Sequence, residues 1–323
     1  MKAWRVHEVG DFHDVLVWED CDTPAVQPNS ALVKVEAAAV NFPDILFIAG
    51  QYQMRPPLPF VPGLEAVGEV VEVGEGSEMS VGDRVIVTGI GAFAEYILAL
   101  DAMSFPAPEG MPAADAAAFR VVYQTAHMAL VRRARLQAGE TLVVHGGSGG
   151  AGTAAIQVGK ALGARVIATA HTPEHLQVCK DVGADDVLDY RDDDLVAGVK
   201  NLTGGRGADV FFDPVGDGAF EASTHSVNFE GRIVVIGFAS GHIPEIRANM
   251  ILNKNIDVLG MYWTNYELLY PDIVDEVQED LNAMYARGEI RPVISHVMPL
   301  SELPEALDAI QTHHNHGKII LEP

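Results

Sequence analysis

Between Thr141 and Ala155 the chain reads TLVVHGGSGGAGTAA, a strand-like run broken by glycines and followed by small residues. Three chemistries can be written on that one turn. Gly147-Ser148-Gly149-Gly150-Ala151-Gly152 has the spacing of a dinucleotide fingerprint, Gly146-Gly147-Ser148-Gly149-Gly150 that of a nucleophile elbow, and Gly147 to Thr153 most of a phosphate-binding P-loop. A P-loop needs a lysine after its last glycine to reach the terminal phosphates, and Thr153 stands there instead. An elbow needs Ser148 exposed on a strained turn, followed by an acid and a histidine, and Asp213 with His242 or His296 supplies them in chain order. Against the elbow stand Gly152 and the small run Thr153, Ala154, Ala155, for which a hydrolase has no need. A dinucleotide site needs both. Gly147 permits the tight turn, Gly149 lets the backbone approach the pyrophosphate, Gly152 lets the helix lie against the strands, and the first helical N–H groups, from Gly150 and Ala151 onward, face the anion.

The elements around the turn must hold it in place. "TLVVH" predicts a strand and Thr153 to Leu162 a helix; "RVIATA", a helix through Cys179, "DDVLDY", "DVFFDPVG" and "RIVVIGF" continue the alternation. Apolar strands separated by helices indicate a parallel sheet covered on both faces. Upstream, short β-branched runs such as "AVGEVVEVGEG" and "DRVIVTGIG" end in Gly or Asp, and Pro56, Pro57, Pro59 and Pro62 point to an extended loop. Downstream, a long helix, a strand "VISHVMPL", a second helix and "GKIILEP" are too few elements for a further domain. The expected organisation is an irregular β domain over residues 1–122 and 264–323, with a doubly wound domain over 123–263.

Composition excludes several classes. The 323 residues, 48% hydrophobic, suffice for two cores. Asp and Glu number 45 against 21 Lys and Arg, a formal charge of -24 that repels nucleic-acid backbones and acidic lipid. Cys21 and Cys179, distant and without close-spaced partners, fit a reducing compartment and exclude a Cys-rich zinc lobe. The first residues contain no apolar signal region, and no apolar run reaches membrane-spanning length, so a cytoplasmic protein is expected.

Several strings, in order, resemble the zinc-free quinone oxidoreductase (zeta-crystallin-like) branch of the medium-chain dehydrogenase/reductase superfamily: "AAAVNFPDILFIAGQY", "PFVPGLEAVGEV", "VGDRVIV", "LVVHGGSGGAGTAAIQVGKALGARVIATA", "VGADDVLDY", "TGGRGADVFFDPVG" and "GRIVVIGFASG". The resemblance implies a GroES-like irregular β-barrel catalytic domain joined to a Rossmann domain. In zinc-dependent relatives a Cys near Val40-Asn41-Phe42 and a His in a Gly-His-Glu string bind the metal; here Asn41 and Leu64 occupy those places. Leucine cannot ligate zinc, so no metal is expected. His313, His314 and His316 read as a solvated loop. A metal-free site suits acceptors that are already electrophilic, and the resemblance implies quinones or α,β-unsaturated carbonyls (enone, enal or acyl-CoA double bond).

Site residues follow from the same match. Asn41 is placed to hold a nicotinamide ribose or a substrate oxygen, Tyr52 to stack on a flat substrate or donate to its carbonyl, and Thr125 to set a hydroxyl against the nicotinamide end. Gly237-Phe238 and Tyr262-Trp263 follow strands at their carboxyl ends, where open α/β sheets bind ligands. Lys318 matches a family position that reaches the cofactor, and a lone surface lysine is the alternative. Arg120, where an apolar residue or proline is expected, reads either as a pocket residue for acidic substrates or as an exposed arginine starting a helix.

The second strand ends without the acid that NAD enzymes use, and His171, Thr172, His175, Tyr190 and Arg191 lie nearby, which favours NADPH. The strand in "NIDVLGMYW" should end the parallel sheet, where pairing with a second subunit would protect its edge, so a homodimer is expected. The sequence therefore points to NADPH-dependent hydride transfer to a quinone; enone reduction, a non-catalytic NADPH-binding protein and a serine hydrolase using Ser148 are the alternatives.

Overall fold

The computed structural model describes all 323 residues, which divide into two compact units, Met1–Val121 with Ile294–Pro323, and Val122–Val293. The first unit is built on the long strand Ser30–Val40, which pairs antiparallel with Glu65–Val73, Tyr96–Leu100 and Lys318–Glu322. Lys34 and Glu36 alternate outward, whereas Ala37 to Val40 are continuously buried, so the end of this strand is covered on both faces. Ile294–Pro299 and Ser104–Pro106 close the two sides of the seven-stranded sheet, and Lys2–Val6 pairs with Leu16–Asp20 in a separate two-stranded sheet. The core gathers Val33, Val35, Ile48, Phe60, Phe93, Ile97, Leu303 and Ile319.

The register of these pairings assembles a polar cluster. Ile319 lies opposite Val40 and Ile320 opposite Ala39, so antiparallel pairing carries Lys318 across from Asn41. Ala66 lies opposite Ala38, which brings Glu65 level with Ala39. The helix Phe42–Ile48 starts directly after Asn41, and Asp44 sits in its first turn.

The second unit carries a six-stranded parallel sheet in the order Asp186–Asp189, Arg165–Ala170, Thr141–Val144, Ala208–Asp213, Val227–Val235, Asp257–Gly260. The strand order reverses between Thr141–Val144 and Ala208–Asp213, the position at which open α/β sheets bind ligands. The middle strands are buried along their length because helices cover both faces.

The division differs from the sequence reading at its C-terminal boundary. Thr264–Leu269 and Pro271–Ala286 group with the parallel sheet, not with the β domain. Val274, Val277, Gln278, Leu281 and Met284 form a buried stripe at helical spacing, and Gln278 and Asp280 bond to Gln124 and His127 on the helix Arg120–His127. Composition showed the long helix but not which core its stripe would join.

Arg120 is the clearest departure from expectation. Its side chain is fully buried, with the guanidinium carbon 3.0 Å from the centroid of the Phe105 ring. The arginine begins a helix, as read, but stacks its cation on an aromatic face inside the unit instead of standing in solvent.

Candidate functional site

Because all six strands of the second unit run parallel, their carboxyl ends lie along one edge. In sheet order that edge carries Tyr190-Arg191, His171-Thr172, the glycine turn, Asp213 to Gly216, Gly237-Phe238, and Tyr262-Trp263. Strands are spaced about 4.8 Å apart, so the glycine turn lies roughly 10 Å from the Tyr190-Arg191 end of this row and roughly 14 Å from the Tyr262-Trp263 end.

At the centre, Gly149 is the N-cap of the helix Gly150–Ala161 and contributes no side-chain cap, which leaves the first-turn N–H groups for an external acceptor. A Cβ on Gly152 would lie 2.1 Å from the Gly146 carbonyl oxygen and 2.7 Å from the Gly147 Cα, so only glycine lets the helix approach the turn. A Cβ on Gly149 would meet nothing nearer than 3.5 Å. The turn itself is made by Gly146, at φ +60°, rather than by Gly147. Gly147 is required by packing: a Cβ there would lie 2.9 Å from both the Ala168 Cβ and the Cys179 Sγ. Burial pushes the Cys179 thiol up to about 12, so this sulfur is an inert filler beneath the loop.

Sequence reasoning missed the polar support under the turn. His145 is buried between Thr169 Oγ1 at 3.0 Å and Ser223 Oγ at 2.9 Å. Ser223 donates its own proton to the Ala219 carbonyl, so it accepts from His145 Nε2–H, and Thr169 donates to Nδ1. Burial lowers the imidazole's proton affinity although Asp213 opposes it, in keeping with a neutral ring.

The same geometry bears on the nucleophile elbow. Ser148 is buried, Asp213 Oδ1 accepts from the N–H groups of Val215 and Gly216, and the His242 ring turns to the Ser240 carbonyl. His296 lies on an outer strand of the other unit. The three groups of a hydrolase triad are not assembled.

At one end of the row, His171 Nδ1 and the Tyr190 hydroxyl are 2.7 Å apart, and the His175 ring meets His171 edge-on at a centroid distance of 5.2 Å. Thr172 adopts φ +64° and caps the helix Pro173–Asp181 by accepting from the His175 N–H. Burial pushes the Tyr190 phenol up, against the pull of Arg191, so it stays protonated near neutral pH. Two nearby carboxylates are engaged by backbone: Asp189 accepts from Arg191 N–H and Asp193 from Asp189 N–H.

At the other end, Gly237 and Phe238 follow Val227–Val235, and the Phe238 ring lies within 3.2 Å of where a Gly216 side chain would start. Met261 N–H bonds to the Val235 carbonyl and carries the chain into half-buried Tyr262 and Trp263. Thr125 is half-buried on the helix Arg120–His127, which continues as a π-helix over Met128–Arg133.

The first unit contributes the cluster set by its strand register. Lys318 is only 4% exposed; it is not a surface lysine. Its Nζ donates to Asn41 Oδ1 at 2.5 Å and to Glu65 Oε1 at 2.8 Å. Asn41 Nδ2 donates to the Ala39 carbonyl and to Glu65 Oε1, and Glu65 Oε2 accepts from Val121 N–H. The Asn41 amide hydrogens are therefore spent inside the unit. Only the second lone pair of Oδ1 remains, which suits a ribose hydroxyl and not a substrate oxyanion. Asp44, absent from the sequence reading, accepts from Asn41 N–H at 2.7 Å, and burial pushes its carboxyl up to about 8. With Asp44 protonated, Lys318 and Glu65 leave the cluster neutral. Tyr52 is half-buried with its ring 4.4 Å from that of Phe47. His313 and His314 are exposed, and no group of three His, Cys, Asp or Glu side chains is arranged so that it could hold a metal ion.

Comparison with known proteins agrees with this architecture. Residues 27–109 match the alcohol dehydrogenase GroES-like domain, and residues 150–279 match the zinc-binding dehydrogenase family. A quinone oxidoreductase-like protein 2 from Bos taurus is 37% identical over 99% of this chain and 93% of its own. Among solved structures, a mycobacterial protein complexed with NADPH superposes with a TM-score of 0.94 at 31% identity, covering 100% of both chains. The Escherichia coli quinone oxidoreductase, complexed with NADPH, superposes at 0.92 with 28% identity, again over 100% of each. With its GroES-like and Rossmann units, the chain belongs to the quinone oxidoreductase family of the medium-chain dehydrogenase/reductase superfamily.

Proposed function

We propose that this chain is an NADPH-dependent, metal-free oxidoreductase that transfers hydride to a quinone. The observation that carries the reading is the row of groups along the carboxyl edge of the parallel sheet. A phosphate-binding turn follows the third strand, with a His-Tyr-Arg set one and two strands to one side and aromatic residues two and three strands to the other.

The residues fit a dinucleotide: Gly152 permits the close helix approach, and Gly149 leaves its side of the turn open. The helix N–H groups of Gly150 and Ala151 bind the pyrophosphate. His171, Thr172, His175, Tyr190 and Arg191 hold the adenosine 2′-phosphate. Thr125, Gly237, Phe238, Tyr262 and Trp263 orient the nicotinamide end and exclude water from it. When bound, the nicotinamide supplies hydride.

The donor set supports metal-free chemistry. The Lys318 ammonium is a buried cation bonded to Asn41 and Glu65, and Leu64 offers no ligand. Quinones and enones take hydride at carbon and spread the charge onto a conjugated oxygen, so a donor such as the Tyr52 phenol suffices. Quinone is the first reading because aromatic side chains at the last strands favour a flat acceptor. An end strand, Asp257–Gly260, supports pairing of two subunits, and unpaired Cys21 and Cys179 support a reducing, cytoplasmic setting.

The test is NADPH oxidation with a 1,4-benzoquinone beside an enone, together with dissociation constants for NADPH and NADH. Turnover of the quinone and tighter NADPH binding are expected. Turnover of the enone alone would select the second substrate class, and tight NADPH binding without turnover would leave a non-catalytic binding protein.

A further inference from the structure

Behind Trp263 lies a buried chain of side-chain amides. The indole Nε1 donates to Gln124 Oε1 at 2.7 Å, Gln124 Nε2 donates to Gln278 Oε1 at 2.8 Å, and Gln278 Nε2 donates to Asn282 Oδ1 at 2.9 Å. Gln124 is fully buried and Gln278 is 5% exposed. All four residues belong to the second unit.

The direction of this chain is forced. Indole nitrogen is a donor only, so Gln124 must present its oxygen to Trp263 and therefore its NH2 group to Gln278. Gln278 must then turn its own NH2 to Asn282. Flipping any one amide sets donor against donor in a buried place, where an unsatisfied group is costly. A second contact, His127 Nε2 to Asp280 at 2.8 Å, ties the same pair of helices one turn further on. The indole plane is thus held from inside the unit, not by whatever molecule the ring faces. Leu or Met at position 124 would fill the space as well. Packing alone does not call for Gln there.

We propose that Gln124 is a positioning residue: it fixes the Trp263 indole as a preset wall for the flat ring of the electron acceptor and so favours ring-shaped acceptors over small open-chain enones. The inference rests on the placement of Trp263 at the nicotinamide end. Gln124 touches neither substrate nor cofactor in this scheme and acts only through the indole.

The experiment combines two readouts on the holoenzyme. Indole 15N–1H spectra contain three signals, from Trp4, Trp18 and Trp263, and the Trp263→Phe variant identifies the third. Gln124→Leu should move that signal upfield as the hydrogen bond is lost. It should also raise KM for 1,4-naphthoquinone roughly three- to tenfold, the worth of one neutral hydrogen bond, with KM for NADPH and for methyl vinyl ketone unchanged. In a Trp263→Phe background the same substitution should add nothing. Gln278→Leu leaves Gln124 in place but removes its shorter anchoring bond, with only the longer contact to the Val274 carbonyl at 3.5 Å remaining for Nε2; it should shift the signal in the same direction and serves if Gln124→Leu folds poorly. An unmoved indole signal, a parallel rise in all three KM values, or a full Gln124→Leu effect in the Trp263→Phe background would overturn the proposal. Wild-type protein that oxidises NADPH with no quinone would instead overturn the functional reading, while the indole spectra would still decide whether the relay exists.

Discussion

Replacing Lys318 by Met isolates the contribution of the buried Lys318–Glu65–Asn41 cluster. Lys318 and Glu65 are 4% and 0% exposed, and their bond is 2.8 Å long, so removing the ammonium leaves a carboxylate in the interior. Breaking one side of such a pair costs about 3–5 kcal/mol. Glu65 keeps two other donors, Asn41 Nδ2 at 3.1 Å and Val121 N–H at 3.1 Å, which places the expected loss near the lower end, about 3 kcal/mol. Replacing both partners by uncharged groups removes the stranded charge, so Glu65→Gln with Lys318→Met should recover most of that loss. Urea unfolding can be followed through Trp4 and Trp18, whose rings lie 5.4 Å apart in the first unit, in a Trp263→Phe background that silences the other unit. A single-variant loss below about 1 kcal/mol, or a double variant no more stable than the single one, would show that Glu65 is not an isolated buried charge and refute the argument.

Four further outcomes are expected. Because burial holds the Asp44 carboxyl near 8, the folded chain keeps a proton that the unfolded chain releases at ordinary carboxylate pH; stability is lost as pH rises from about 4 to 8, by at most about 1.4 kcal/mol per unit. Asp44→Asn should remove this slope, so its stability relative to wild type should climb between pH 5.5 and 7.5; parallel urea midpoints across that range would contradict it. Gly152→Ala drives a Cβ to 2.1 Å from the Gly146 carbonyl, and calorimetric titration should show NADPH affinity reduced more than roughly tenfold, because the turn must shift. Tyr190→Phe with His171→Gln should shrink the preference for NADPH over NADH by about tenfold, read from the two dissociation constants, if this hydrogen-bonded pair faces the 2′-phosphate. Light scattering at micromolar concentration should give a dimer mass; the outer strand Asp257–Gly260 and the exposed side chains of Ile243 and Leu252 are the surfaces expected to become covered.

What the sequence determined by itself was local and periodic. Apolar strands alternating with helices defined the parallel sheet, and "GGSGGAG" marked the glycine turn between one of its strands and a helix, because both signals reside in adjacent residues. That His171, Thr172 and Tyr190 share one edge was legible for the same reason: each follows a recognisable strand, and a parallel sheet gathers strand ends on one edge. Tertiary structure decided everything that depends on register or on the choice of partner. Lys318 lies 253 residues from Glu65, and only the pairing of Ile319 with Val40 and Ala66 with Ala38 brings them together. Nothing in the residues around Asp44 sets it apart; its burial in the folded unit raises its proton affinity. Arg120 broke an apolar pattern, yet nothing near it in sequence announces the Phe105 ring on which it stacks. The stripe Val274, Val277, Leu281, Met284 showed that a helix must be covered without saying by which unit, since hydrophobic patterning is non-directional; the polar contacts of Gln278 and Asp280 with Gln124 and His127 accompany its placement with the second.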